Sequence, residues 1–313
     1  MSAALSPSGD QFAISGGGYD AVVTESGAAL RALSHLGRPL VDGFGEHEMS
    51  SGGRGQLLMP WPNRVRDGQY SFDGRDLRLP LTEPTRHNAS HGLVRWVAWT
   101  VEEHTAHSVS LQYRLMAQSG YPWTVDLHVL YDLSADGLTV TQTATNMSGE
   151  AAPYASGAHP YLTVGDGPVD SWELLLPATT RSLTDDRLIP VGREAVAGTP
   201  YDFRTMRPIG DVPINHGFTD LARDASGGCT TTLRDPATGR GVALWADESH
   251  RWLQVYTADD VPGTARRSLA VEPMTANADA FRSGEDLLTL APAGEAGDEV
   301  SVSWGIRAVD EGA

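Results

Sequence analysis

A predominantly antiparallel β fold is predicted by a recurring two-residue hydrophobic period, by the lack of sustained helical spacing, and by 34 glycines and 19 prolines spread at turn-like intervals. Val109, Leu111, Tyr113 and Leu115 alternate with Ser108, Ser110, Gln112 and Arg114, as along a strand with one face in the core. Val125, Leu127, Val129 and Tyr131 form a second run that meets a Ser-Ala-Asp-Gly turn at 134–137. Leu138 and Val140 then alternate with Thr139 and Thr141, which reads as a hairpin. Towards the C-terminal end, Val300, Val302, Trp304 and Ile306 alternate with Glu299, Ser301, Ser303 and Gly305. Loops able to carry a site are expected at 42–54, 80–90 and 184–210. With no linker-like tract and no fixed-period repeat, residues 1–313 are read as one large all-β sandwich domain.

Composition narrows the function. The formal net charge is −17, from 40 acidic and 23 basic residues, and no stripe of Lys and Arg offsets it. Nucleic acid and anionic membranes are therefore not expected as partners. The single cysteine, Cys229, has no partner for an internal disulfide, and the first ten residues lack the basic start and apolar core of a signal peptide. No run is apolar enough to form a spanning helix. A cytoplasmic, soluble protein is the expectation, and the glycosylation-type triplets at Asn88 and Asn146 are read as incidental.

Motifs for other chemistries are missing: no phosphate-binding P-loop, dinucleotide glycine fingerprint, H-E-x-x-H pair or nucleophile elbow occurs. His87 and His91 have a spacing that suits a metal only on a helix, and the residues around them read as loop, so no metal site is expected. Three segments place ionisable residues beside conformationally special neighbours. The first contains Met-Pro-Trp-Pro-Asn-Arg at 59–64, then Gly-Gln-Tyr-Ser-Phe-Asp-Gly at 68–74 and Asn-Ala-Ser-His-Gly at 88–92. The second is Gly-Ala-His-Pro-Tyr at 157–161, and the third is Ala-Val-Glu-Pro-Met at 270–274.

In this order the segments resemble the aldose 1-epimerases, or galactose mutarotases. Trp-Leu-Gln-Val-Tyr-Thr at 252–257 and Leu-Ala-Pro-Ala-Gly-Glu at 290–295 extend the resemblance from about residue 20 to about residue 306. The resemblance implies a large antiparallel β-supersandwich with a sugar site on one open face and no cofactor. It implies Glu272 as base, His159 as acid at the ring oxygen, and His91 binding or polarising the same region. Arg64 and Asn63 would contact sugar hydroxyls, as would Asn215 and Gln254, with Phe218 as a stacking surface; Trp61 and Tyr161 are weaker aromatic candidates. A guanidinium suits such a role because its planar fork can bridge two neighbouring hydroxyls. Many members of the family carry Asp where this chain has Asn215, which replaces a pure acceptor by an amide; Asp220 is an uncertain substitute.

The reaction implied is exchange of the α and β anomers of a free hexose. A base takes the proton of the anomeric hydroxyl while an acid protonates the ring oxygen; the freed aldehyde rotates and the ring recloses. Acid and base are expected on opposite sides of one sugar, both exchanging protons near neutral pH. Two alternatives remain at this level. A hexose 6-phosphate would need cations, for which Arg266 and Arg267 are candidates, and a non-catalytic sugar sensor could use the same sandwich.

Overall fold

The computed structural model of the chain describes residues 5–310. Its largest sheet has nine antiparallel strands in the order Arg207–Pro208, Glu173–Leu175, Cys229–Arg234, Arg240–Ala246, Glu299–Asp310, Gly137–Asn146, Val125–Ser134, Ser108–Leu115 and Thr100–His104. The predicted hairpin is here: Val125 to Ser134 pair in register with Asn146 to Gly137, and Gly137 closes the turn at a φ of 111° that a side chain would resist. Val125, Leu127, Val129, Tyr131 and Leu133 all face inward, the two-residue period converted into a buried face.

A second sheet of six strands runs Tyr161–Leu162, Leu269–Met274, Trp252–Tyr256, Asn215–Leu221, Ala178–Thr184 and Pro190–Ala195. A third, four-stranded sheet is built from Gln11–Gly16, Tyr19–Thr24, Leu30–His35 and Arg38–Pro39. Val140, Trp304 and Ile306 of the nine-stranded sheet and Phe218, Leu253, Val255 and Val271 of the six-stranded sheet belong to one buried apolar cluster. Burial of each large apolar side chain there stabilises the sandwich by roughly 1.5–3 kcal/mol. The expected loop at 184–210 is only partly a loop, because Pro190–Ala195 pairs with Ala178–Thr184 and becomes the edge of the six-stranded sheet. No helix among the described residues is long and apolar enough to cross a membrane.

One polar residue ties the core to the segment that carries His159. Gln142 sits at an inward position between Val140 and Ala144 and is 1% exposed. Its amide donates to the Gly157 carbonyl at 3.3 Å and its oxygen accepts the Trp304 indole N–H at 3.2 Å. Gln142→Leu leaves that indole N–H buried and unpaired. The expected loss is about 1–3 kcal/mol in denaturant unfolding, and an unchanged unfolding midpoint would refute the role given to this amide.

Candidate active site

Sheet register decides which side chains share the open face of the six-stranded sheet. Gly217 pairs with Gln254 and Gln254 with Glu272, so the last two side chains lie next to one another; Asn215, two residues before Gly217, joins the same face. The absence of a side chain at Gly217 is needed there, since a Cβ would stand 2.8 Å from the Asn277 amide oxygen. Phe218, by contrast, pairs with Leu253 and is fully buried in the core on the other face. The expectation of a stacking role for Phe218 is therefore corrected: in a strand, one step in sequence reverses the side. Trp61 is likewise core, packed on Phe281 with ring centres 5.5 Å apart, and Asp220 is exposed outside the cavity.

Glu272 is not at a strand end, as a carboxylate before proline commonly is, but inside Leu269–Met274. The segment 156–160 runs alongside it irregularly: Thr275 N–H donates to the Ser156 carbonyl, Ala158 N–H to that of Pro273, and Val271 N–H to that of Pro160. This alignment sets His159 across from Glu272. On its other side the same segment is fixed by Gly55 N–H donating to the His159 carbonyl and His159 N–H donating to that of Gln56. His159 Nε2 lies 3.3 Å from Glu272 Oε1, and the two side chains are 6% and 3% exposed. Among the described residues His159 Nδ1 and Glu272 Oε2 have no hydrogen-bond partner. Gly53 covers the imidazole so closely that a Cβ there would stand 2.7 Å from His159 Cδ2.

From the sequence, acid and base are expected on opposite sides of one sugar; in the structure Glu272 and His159 are in direct contact. They stand side by side.

Burial also moves both groups. Glu272 is pushed up to about 8 by removal from water, against a small opposing pull from Arg64. His159 is pushed down to about 3 by burial first, then by the positive charges of Arg95, Arg54 and Arg64. The histidine therefore does not titrate near neutrality as expected. Instead the pair holds one mobile proton, which Oε1 and Nε2 can share.

His91 is held by a reciprocal pair of bonds: its backbone N–H donates to the Asn63 carbonyl at 2.8 Å, and its Nδ1 accepts the Asn63 backbone N–H at 3.2 Å. Both residues adopt left-handed backbone, at φ 59° and 55°. Acceptance at Nδ1 fixes the proton of a neutral ring on Nε2. Burial, reinforced by Arg95, His159 and Arg64, keeps that ring neutral by holding its pKa well below the ordinary range. Its ring meets His159 edge to face at 5.5 Å.

Side-chain amides complete the floor. Asn63 Nδ2 donates to Gln254 Oε1 at 3.3 Å and Gln254 Nε2 donates to Asn215 Oδ1 at 2.8 Å. Because the Asn215 oxygen is occupied in this relay, its NH2 is the group left to meet a ligand. Arg64 is at the cavity wall, but its fork is engaged: Nε and one terminal nitrogen donate to the two Glu83 oxygens at 2.8 and 3.0 Å. The remaining terminal nitrogen donates to Asn63 Oδ1 at 3.2 Å. Glu83 also accepts from Arg86 at 3.1 Å, and burial, which pushes its carboxyl up, is outweighed by Arg64. Glu83, Arg86 and Arg95 were not legible as site residues: the first two lie in the expected loop at 80–90 and none belongs to a motif, whereas Tyr256 falls in the segment 252–257 already singled out; the fold brings all four to the cavity.

These residues enclose a cavity of about 300 Å³. Glu272, His159, His91, Arg64, Asn63, Asn215 and Gln254 line it, whereas Phe218 and the weaker aromatic candidates Trp61 and Tyr161 do not. Arg266 and Arg267 do not. Arg266 is held by Asp170 and Asp259, and Arg267 by Asp42. No cluster of three or more His, Cys, Asp or Glu suited to a metal ion occurs among the described residues.

The antiparallel supersandwich, with Glu272 and His159 on its open face, is a galactose mutarotase-like fold. The aldose 1-epimerase family model matches residues 10–303, and the chain belongs to that family. It is 35% identical over 284 residues to the uncharacterized protein YihR of Escherichia coli K12, covering 90% of this chain and 89% of the relative. In fold it is similar to a GalM/aldose epimerase homologue from C. elegans (TM-score 0.84, 19% identity, 96% of this chain and 99% of that one). It is also similar to galactose 1-epimerase from Lactobacillus acidophilus (TM-score 0.76, 18% identity, 93% and 92%).

Glu83→Gln tests how Arg64 is oriented. With the carboxylate partner gone, KM for the sugar is expected to rise about tenfold, equivalent to about 1.4 kcal/mol of binding, with little change in kcat. An unchanged KM would show that Arg64 keeps its place without Glu83.

Proposed function

We propose that the chain is a cofactor-independent aldose 1-epimerase that interconverts the anomers of a free hexose of the glucose or galactose type. The observation that carries this reading is the buried contact of 3.3 Å between Glu272 and His159 in a small polar cavity. A cavity of about 300 Å³ is at the lower end for small-molecule sites, roughly 300–1,000 Å³. It suits one sugar ring.

In the proposed cycle the proton shared by the resting pair first passes from Glu272 to His159; Glu272 carboxylate then takes the proton from the anomeric hydroxyl as the carbon–oxygen ring bond breaks, and His159 imidazolium gives its proton to the ring oxygen. The product is an open-chain aldehyde beside a neutral carboxylic acid and a neutral imidazole. Rotation about the bond between C1 and C2 presents the other carbonyl face, and the same protons return during reclosure. Nothing is consumed. The two stages of the pair contain the same number of protons, so the cavity need not exchange with solvent in each turnover. Burial of the pair away from water favours its neutral form, which is the form present with the open chain, and so stabilises the state that water leaves unfavourable. The Nε2–H of neutral His91 and the NH2 of Asn215 supply donors to sugar oxygens, and Arg64 and Gln254 help to fix the ring.

The phosphate alternative loses support, because Arg266 and Arg267 are bound to carboxylates away from the cavity. A sensor role does not account for a buried carboxylate and imidazole in contact, an arrangement costly to keep unless it moves protons.

Freshly dissolved α-glucose and α-galactose should approach rotational equilibrium faster in polarimetry when the protein is added. Glu272→Gln should lower kcat by about 10²-fold or more while sugar binding by calorimetry persists; undiminished turnover would exclude Glu272 as the base. The pH profile supplies a separate check. Because Glu272 is raised to about 8, the pair loses its mobile proton above that pH, and kcat/KM should fall there rather than near 6.

A further inference from the structure

The groups behind His159 form a connected stack that the reaction itself does not use. Tyr161 lies nearly parallel to the imidazole, with ring centres 5.0 Å apart and an interplanar angle of 16°. The guanidinium carbon of Arg54 is 4.4 Å from the centre of the same tyrosine ring. Arg54 is 2% exposed and reaches Asp42 through Nε at 3.4 Å and a terminal nitrogen at 3.3 Å; another terminal nitrogen donates to the Ser51 carbonyl at 3.1 Å. Asp42 in turn accepts from Arg267 and from the Ser268 hydroxyl, and its backbone N–H donates to the Tyr161 carbonyl. The Tyr161 hydroxyl donates to the Gly52 carbonyl at 2.9 Å, beside the glycine that caps the imidazole.

We propose that Asp42, Arg54 and Tyr161 form a positioning stack that fixes the plane of the His159 imidazole and keeps a positive charge close behind it. Arg54 is then a positioning residue, acting through Tyr161. A planar guanidinium suits the place because it can lie over the ring while its edge pairs with a carboxylate, which a lysine ammonium cannot do.

The consequence for the reaction, which rests on the epimerase reading, concerns where the mobile proton resides. His159 contacts Glu272 through Nε2, meets His91 edge to face and stacks on Tyr161, with the cations Arg95, Arg54 and Arg64 around it. Each cation raises the cost of the imidazolium and so makes His159 a stronger acid towards the ring oxygen. Arg54 is the one that is also mechanically coupled to the ring.

The test combines kinetics with imidazole nitrogen NMR on the free protein. In Arg54→Met at pH 7, the His159 nitrogen resonances should move towards imidazolium values, and kcat should fall about tenfold with KM unchanged. Arg54→Lys, which keeps the charge, should leave those resonances near their original positions yet lower kcat through loss of the planar contact. If Arg54→Met does not fold, Tyr161→Leu replaces it: the ion pair with Asp42 remains, but the His159 ring should show two exchanging orientations and a reduced kcat. Folded variants with unchanged resonances and unchanged kcat overturn the stack. If the resonances move but no variant, nor the original chain, accelerates mutarotation, the stack stands and the epimerase reading fails.

Discussion

The contact between Glu272 and His159 is what the rest of the site depends on. A carboxylate and an imidazole taken out of water together can satisfy one another only as a pair sharing a proton, because either charge alone is expensive in a low-dielectric interior. Burial drives Glu272 towards the acid and His159 towards the neutral ring, so the pair rests as two uncharged groups. That arrangement is poised between the two proton distributions that opening and closing a sugar ring require. Its small dimension also matters, since the two oxygens to be served belong to a single carbon.

The walls keep this pair from relaxing. Segment 156–160 is held between residues 55–60 and 271–275 by backbone hydrogen bonds, and Gln142 reaches out of the nine-stranded sheet to the Gly157 carbonyl. The rigid core is thereby connected to the acid through a single buried amide. On the opposite wall Asn63, Gln254 and Asn215 form an amide relay whose members lock one another's orientation. Exchange of the familiar carboxylate for Asn215 converts that position from acceptor to donor without adding a second negative charge near Glu272.

Charge in the cavity is closely balanced. Arg64 and Arg86 share Glu83, and Arg86 also approaches Asp260 at 3.7 Å, so these cations are oriented by carboxylates before any sugar arrives. Preorganisation of this kind lets a fork present its remaining edge without rearrangement at the moment of reaction. Arg95 is different: its guanidinium donates to the Gln56 oxygen and the Ser90 carbonyl, each at 3.4 Å, and its positive charge acts on both histidines.

The two-residue period at 108–115, 125–140 and 299–306 determined four of the nine strands of the large sheet, because inward burial demands alternation and little else produces it. The ordered His, Glu and Arg motifs likewise determined the family, and seven of the eight expected site residues meet at one cavity. What only the tertiary structure decided was side and separation. Phe218 differs from Asn215 by three positions and from Gly217 by one, yet sheet register sends its ring into the core. Glu83 and Arg54 carry no motif, and they matter only because loops distant in sequence bring them against Arg64 and Tyr161. The sequence singles out Glu272 and His159; their contact, their altered proton affinities and the stack behind His159 arise from burial, which depends on every segment that packs around them.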